Sequence, residues 1–467
     1  MNAFGFKKAR AVQSSWLEEG GRRLDCNPYM SGAQEARDAL RRLSVRKDAL
    51  QTVTCGYSGG IYNGPVFSRI WVDDPQYGVP FIGSSDISNA DLSTLPLLKR
   101  SYAQSKKLAH LELAEGTTLI TCSGTIGRMA YVRPDMAGIW SSQHIMKVVP
   151  DPDRIPPGYL YAFLSSRYGV PLVVSGTYGA IIQYIEPRHI ADLPVPRFER
   201  NFEQQVANAI DAAALERTAA SKFRRTAIQL FQEKIGWAGH SKSEASAPMA
   251  SCLLGRMDAF YHSPRVEAGR AALAANCGVR LGDQVERVFE PNRGSRLKVT
   301  DPAYGVPFLS SSAVFELNPS AEYLVSRSLT PHLANLLLSE RDVLLPRSGQ
   351  LGGIIGRAAL PLPMNIGHAG SEHLVRVRCR LQSDAAYLWA VLASEPGYWA
   401  LVGTAFGSSI PSLDSSRIGE LIVPWLPDQD RTEIESLVKK AVVAQDKGNA
   451  MEAVAVELLE AKVRGEG

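Results

Sequence analysis

A chain of 467 residues is too long for one hydrophobic core and suits two domains plus a spacer. Its 45% hydrophobic and 21% charged fractions are ordinary for a globular protein, no apolar run is long enough to span a bilayer, and the first residues carry no signal-peptide core, so a cytoplasmic protein is expected. A net charge of +4 permits nucleic-acid binding without indicating it, because a binding footprint needs clustered Lys and Arg.

From the N-terminus, Cys26-Asn27-Pro28-Tyr29 has a partial likeness to the Asn-Pro-Pro-Tyr motif of amino-methyltransferases. It lacks the second proline and has no glycine-rich cofactor turn after a nearby strand, so it is read as a chance match. The charged stretch 31–49 reads as helix-like, and 118–121 and 145–149 read as strands. The glycine turn 123–128 between these strands has no Gly-Lys-Ser/Thr ending to hold nucleotide phosphates, and serves a tight turn. An amphipathic helix is expected over 157–167, then a Pro-x-Pro exit at Leu193-Pro194-Val195-Pro196.

The run 199–237 has no glycine or proline before Gly236 and is rich in good helix formers, which predicts one long helix. Phe202, Val206, Ile210, Ala213, Phe223, Ala227, Leu230 and Phe231 give it an apolar stripe that needs a partner. The small, polar stretch 238–251 reads as a flexible linker.

Beyond it the sequence repeats itself. Asp74-Pro75-Gln76-Tyr77-Gly78-Val79-Pro80-Phe81 returns as Asp301-Pro302-Ala303-Tyr304-Gly305-Val306-Pro307-Phe308, an offset of 227. In the same order, Arg69 matches Arg296, Ser123-Gly124-Thr125-Ile126-Gly127 matches Ser348-Gly349-Gln350-Leu351-Gly352, and Ser142-Gln143-His144 matches Ser371-Glu372-His373. Tyr159-Leu160-Tyr161-Ala162-Phe163-Leu164 then matches Tyr387-Leu388-Trp389-Ala390-Val391-Leu392, with a strand expected over 374–377 and an amphipathic helix over 384–394. After Pro424-Trp425-Leu426-Pro427, the run 428–465 predicts a second long helix, striped by Ile434, Leu437, Val438, Ala441, Val454, Leu458 and Leu459 and flawed by Gly448.

The expected fold is therefore α+β: two tandem mixed domains, 1–198 and 252–427, separated by two long helices, 199–237 and 428–465. Paired along their stripes as a coiled coil, the helices run antiparallel and relate the domains by a pseudo-twofold axis. At about 1.5 Å per residue, such a rod exceeds one turn of duplex DNA.

The ordered set of Tyr-Gly-Val-Pro-Phe, Gly83-Ser84-Ser85-Asp86-Ile87, Leu119 to Arg128, Ser175-Gly176-Thr177, Ile185 and Leu193-Pro194-Val195-Pro196, in duplicate with two spacer helices, resembles type I restriction-modification specificity (S) subunits. The S-like subunit of a related methylation-linked phage defence system is the neighbouring possibility. The resemblance implies a non-catalytic subunit without a cofactor of its own, whose domains each read half of a split site in double-stranded DNA. The partners it implies are two methyltransferase subunits, which carry S-adenosylmethionine, and room for a translocating nuclease. The alternative of another class is an adaptor whose helix pair joins protein partners without reading DNA.

Base-reading residues are expected where the copies differ, with Arg or Lys on guanine and Asn or Gln on adenine. The candidates are Asn63, Arg69, Lys106, Lys107, Tyr178 and Gln183 in the first copy and Asn292, Arg293, Arg296, Lys298, Arg347, Gln350 and Ser409 in the second, with Arg128 and Arg357 as phosphate partners. Arg217, Lys222, Arg224, Arg225, Lys439 and Lys440 are expected to face outward from the helices for partner docking. His144 and His373 are read as structural histidines, and the six cysteines as reduced, mostly buried thiols without zinc-ligand spacing. No metal site or catalytic constellation is expected.

Overall fold

The computed structural model describes residues 12–19, 27–175, 184–239, 256–275, 277–407 and 410–466. The chain divides into two compact units, Met1–Thr218 with Lys447–Gly467, and Ala219–Asp446. The linker expected at 238–251 lies almost wholly outside the described residues.

The first unit holds two four-stranded sheets and a two-stranded one. One four-stranded sheet orders Trp71–Val72, Leu97–Lys99, Gly78–Ile82 and Trp140–Ser141, with the last pair parallel and Phe81 opposite Trp140. The other orders Ile61–Tyr62, Ile145–Val148, Thr118–Thr121 and Met129–Tyr131, all antiparallel. The expected strands 118–121 and 145–149 are present, the second to Val148, because both are rich in β-branched and apolar residues buried on either face.

The second unit repeats this order. Lys298–Val299, Tyr323–Ser326, Gly305–Leu309 and Ala369–Gly370 form its first sheet, again with only the last pair parallel. Arg287–Phe289, Leu374–Arg378 and Asp342–Pro346 form its second, extended by a bridge from Leu344 to Ala359. Gly78–Ile82 and Gly305–Leu309 share one alternation of burial, and each glycine lies against the leucine of the neighbouring strand, Leu97 or Leu324. Each unit is thus mixed α and β, and the self-similarity in sequence is a self-similarity in topology.

Three local expectations are corrected. The Pro-x-Pro segments are strands as well as exits: Pro194–Pro196 pairs with Lys47–Ala49, and Ile422–Pro424 with Gly278–Arg280. Proline is tolerated there because each strand pairs on one side only. The stretch 31–49 is accordingly a helix over Ala33–Arg42 followed by that strand, not one helical segment. The helices Pro157–Ser165 and Gln382–Ala393 are not amphipathic but buried nearly all round. Each is covered on its other side by the long helix of its unit: Gly158 meets the Ala207 carbonyl, and Tyr387 meets Phe231 edge-on.

The long helices run Arg200–Lys234 and Asp428–Arg464, and each contributes to both units. In the first unit Val206, Ala207, Ile210 and Ala214 share one core with Ala455, Leu459 and Val463. In the second unit Ala227, Phe231 and Ile235 share another with Ile434 and Val438. Pairing is antiparallel in each: Arg217 bonds Asn449 while Lys462 lies over Phe202, and Lys234 bonds Asp430 while Arg224 bonds Gln445. Gly448 is no flaw, since a side-chain carbon there would sit 2.9 Å from the Ala213 carbonyl and 2.9 Å from Cγ of Arg217. Val454 is corrected from the stripe to the surface, 65% exposed, because Ala455, one position on, takes the buried place.

Candidate nucleic-acid interface

Both units hold the candidate surface on one hydrogen-bonded scaffold. The turn before Gly78 and its counterpart before Gly305 are each tied by an arginine: Arg100 donates to the Gly78 carbonyl (2.8 Å) and Arg327 to the Gly305 carbonyl (3.1 Å). At the centre of each second sheet lies a buried cation. Lys147 donates to the carbonyls of Ile145 (2.9 Å) and Ser142 (3.3 Å), and Arg376 to those of Leu374 (2.8 Å) and Ser371 (3.4 Å). Burial pushes the Lys147 ammonium down to about 7 and the Arg376 guanidinium down to about 10. Tyr159 and Tyr387 likewise donate to the carbonyls of Pro196 (2.6 Å) and Pro424 (2.7 Å).

The glycine turns follow the same rule, with one correction to the alignment. Gly127 and Gly356, with φ of +82° and +79°, are counterparts, each lying where an added side chain would collide with a valine, Val174 or Val402, on a neighbouring helix. The partner of Gly127 is thus Gly356, not Gly352, and the extra residues of the second turn sit ahead of it. In the first unit Thr121 closes the turn, its carbonyl accepting from Gly127 N (3.0 Å) and its hydroxyl from Arg128 N (3.0 Å).

On this shared frame the surfaces differ. Arg69 lies over the Phe81 ring (5.3 Å), and Arg296 lies over the equivalent Phe308 ring (4.6 Å). Arg296 also bonds the Tyr323 hydroxyl (2.9 Å) and forms an ion pair with Glu372, whose side chain is only 8% exposed. Burial would raise the Glu372 carboxyl, but the Arg296 bond outweighs it and holds the group below the usual range. Arg69 is exposed and has no carboxylate partner among the described residues. Next to it Trp71, 46% exposed, meets Phe81 edge-on, whereas the second unit has Lys298 there, 4.0 Å above the Tyr323 ring. Tyr77 and Tyr304, at the tips of the arginine-tied turns, are both exposed.

The other candidates are dispersed. Lys106, Lys107, Arg128, Asn292, Arg293 and Gln350 are exposed, and Asn63 and Arg357 are half-buried. Asn63 Oδ1 is buried with no hydrogen-bond donor among the described residues. Arg347 is tied to Glu290 (2.7 Å). Tyr178, Gln183 and Ser409 lie outside the described residues. Of the docking candidates Lys222, Arg225, Lys439 and Lys440 are exposed and Arg224 is half-buried against Gln445. Arg217 is corrected: it does not face outward but is buried, its guanidinium held by Asn449 Oδ1 (2.8 and 3.1 Å) and Glu452, to which Tyr161 also donates (2.9 Å). It is in phase with Ile210 on the apolar face, so the helix repeat places it inside despite its charge.

His144 pairs with the Ser123 hydroxyl through Nδ1 (2.7 Å) and with the Gln143 amide through Nε2 (3.3 Å), and each Ser-x-His serine accepts from its histidine's backbone N–H. Cys122 and Cys379 are buried, Cys55 is half-buried and Cys277 is exposed, which corrects the expectation of burial for the last. Among the described residues no group of three His, Cys, Asp or Glu is placed to hold a metal, and no helix is long and apolar enough to cross a membrane. Sequence reasoning missed the difference between Gln143 and Glu372, although it was visible as the one changed residue inside the retained Ser-x-His.

Fold and surface together define a duplicated α+β protein whose two units share a scaffold and differ in the charged and aromatic side chains they display. No family model matches the sequence, and no curated relative matches it. The chain is similar to the solved S subunit of a type I restriction-modification system from M. genitalium, at 12% identity and a TM-score of 0.38, covering 90% of this chain and 96% of that one. It is also similar to the HsdS subunit of Thermoanaerobacter tengcongensis, at 14% identity and a TM-score of 0.29 over 91% of this chain and 98% of that one. A chain from a structure concerned with complex assembly and conformational transition of the type I R-M system matches at 13% identity and a TM-score of 0.29, over 90% and 98%.

Proposed function

We propose that this chain is a DNA sequence-specificity subunit of a restriction-modification or related methylation-linked defence complex. Its two domains, 1–198 and 252–427, read the two halves of a bipartite duplex site, and it recruits two methyltransferase subunits through its spacer helices, 199–237 and 428–465, with 238–251 as linker. Catalysis belongs to those partners, and a translocating nuclease can join them. The observation that carries this reading is the retention of one scaffold in two units with different side chains at matched positions: exposed Trp71 against exposed Lys298, and half-buried Gln143 against buried Glu372 beneath them. That is what two related but unlike half-sites require of duplicated readers, since base edges are distinguished by side-chain chemistry on a fixed frame. Exposed Lys222, Arg225, Lys439 and Lys440 supply docking charge.

The test is to purify the full chain and measure its binding to mixed-sequence duplex DNA over a range of salt. DNA reading predicts an affinity that falls steeply with salt, as phosphate contacts release counterions. Binding that is absent at low salt overturns it and favours the adaptor. Co-purification with an amino-methyltransferase, followed by methylation mapping of the host genome, then tests the bipartite site.

A further inference from the structure

The scaffold arginine on the strand phenylalanine is the same residue in both units, yet its surroundings differ: Pro96 stands where the second unit has Tyr323, Trp71 where it has Lys298, and Gln143 where it has Glu372. Backbone placement there is matched: Ser142 N donates to the Ile82 carbonyl (3.0 Å) and Ser371 N to the Leu309 carbonyl (2.9 Å), so Gln143 and Glu372 leave equivalent points. In the second unit Glu372 reaches Arg296, and the two are locked together with the Tyr323 hydroxyl. In the first unit Gln143 turns its amide nitrogen to His144, and its Oε1 is buried with no donor among the described residues. Arg69 therefore keeps its position over Phe81 with no anion upon it among the described residues. Lys99, whose backbone N–H bonds the Ile70 carbonyl (2.9 Å), is exposed, whereas the counterpart of Lys99 is the buried Ser326. Arg69 thus stands beside exposed Ile70 and Trp71 with no carboxylate among the described residues, whereas its duplicate Arg296 is neutralised by Glu372.

We propose that the residue at position 143 or 372 decides whether the scaffold arginine is offered to DNA: Gln143 leaves Arg69 available to a backbone phosphate in the first unit, and Glu372 retains Arg296 as a structural residue in the second. The proposal rests on the DNA reading above. The physical basis is that a guanidinium already bonded to a carboxylate must break that pair to reach a phosphate, while an unpaired one over an aromatic ring meets it with its donors and its orientation ready. Arg69 then forms the ion contact of the first unit, and Lys298, seated over Tyr323, supplies charge in the second.

The experiment uses the full chain with mixed-sequence duplex DNA, with affinity measured against salt, for Arg69→Gln, Gln143→Glu, Arg296→Gln and Glu372→Gln. Arg69→Gln is expected to weaken binding about five- to tenfold at low salt and to lower the salt slope by about one, as for one lost phosphate contact. Gln143→Glu, which installs the second unit's carboxylate beside Arg69, is expected to do the same while the thermal midpoint holds or rises. Arg296→Gln should leave the slope unchanged and lower the midpoint, and Glu372→Gln should raise the slope. Should duplex binding by the unsubstituted chain persist with the same slope in both Arg69→Gln and Gln143→Glu, or should Arg296→Gln lose as much as Arg69→Gln, this inference is overturned while the DNA reading stands. Absence of any duplex binding by the unsubstituted chain overturns that reading and this inference together.

Discussion

Lys147 is a cation in a place that opposes cations, held by neutral carbonyls and the face of Tyr62, and its depressed ammonium makes folding sensitive to alkali in a definite direction. An amine whose folded value, about 7, lies below its unfolded value near 10.4 gives up its proton on folding between the two, so stability rises with pH across that window and is level below it. Denaturant unfolding of the wild type and Lys147→Met is expected to show a difference that grows by about 1 kcal/mol per pH unit from about pH 8 to 10. A flat difference overturns the depressed ammonium. Glu372 acts in the opposite sense. Its folded carboxyl lies below the unfolded value, so its pairing with Arg296 contributes fully above about pH 4.3 and is lost as pH falls through the folded value. Glu372→Gln should therefore destabilise at neutral pH and converge on the wild type in acid, as unfolding midpoints at several pH values would record. Neither group was legible in the sequence. Lys147 looks like an alternating strand residue and Glu372 like a surface acid, and only the tertiary positions of the Ser142 carbonyl and of Arg296 give them their roles.

The long helices were legible as elements because composition and apolar period agree over more than thirty positions, with 35 residues in the first and 37 in the second. Their polar seam was not, because Arg217 reads as solvent-facing until Asn449 and Glu452 are brought opposite it. A buried charge that loses its partner is expensive, so Arg217→Ala, which strands Glu452, is expected to destabilise the first unit by about 3 kcal/mol. Combined with Glu452→Ala the loss should be well short of additive in a double-mutant cycle, since both changes remove one network. Gly448→Val drives a branched side chain against the Ala213 carbonyl and should lower stability by about 1–3 kcal/mol despite valine's better helix propensity. Thermal unfolding of that variant at or above the wild-type midpoint excludes the close approach. The short strands Pro194–Pro196 and Ile422–Pro424 stayed hidden because two prolines in three residues mask a β signal in the first, and only three residues carry it in the second.

For the whole molecule, the duplication was plain from Asp-Pro-x-Tyr-Gly-Val-Pro-Phe, whose glycine, proline and aromatic positions are fixed by a turn and a parallel strand pair in each copy. The matched surface differences needed the fold, since they become comparable only when Phe81 and Phe308 are seen under the same arginine. If each unit reads its own half-site, replacing Asn63 should degrade one half of a gapped methylation motif and spare the other, as methylation mapping of cells carrying the variant would reveal. Loss of both halves to the same degree contradicts independent readers.

The first unit is assembled from both ends of the chain, its core containing Ala455, Leu459 and Val463 beside Val206 and Ile210. A nascent polypeptide emerging N-terminus first therefore cannot finish this core when residue 218 leaves the ribosome, but must wait until the whole second unit has been translated. The earlier-made half is the later to mature, so a stop codon just before Lys447 should leave the first unit open to protease while sparing the second.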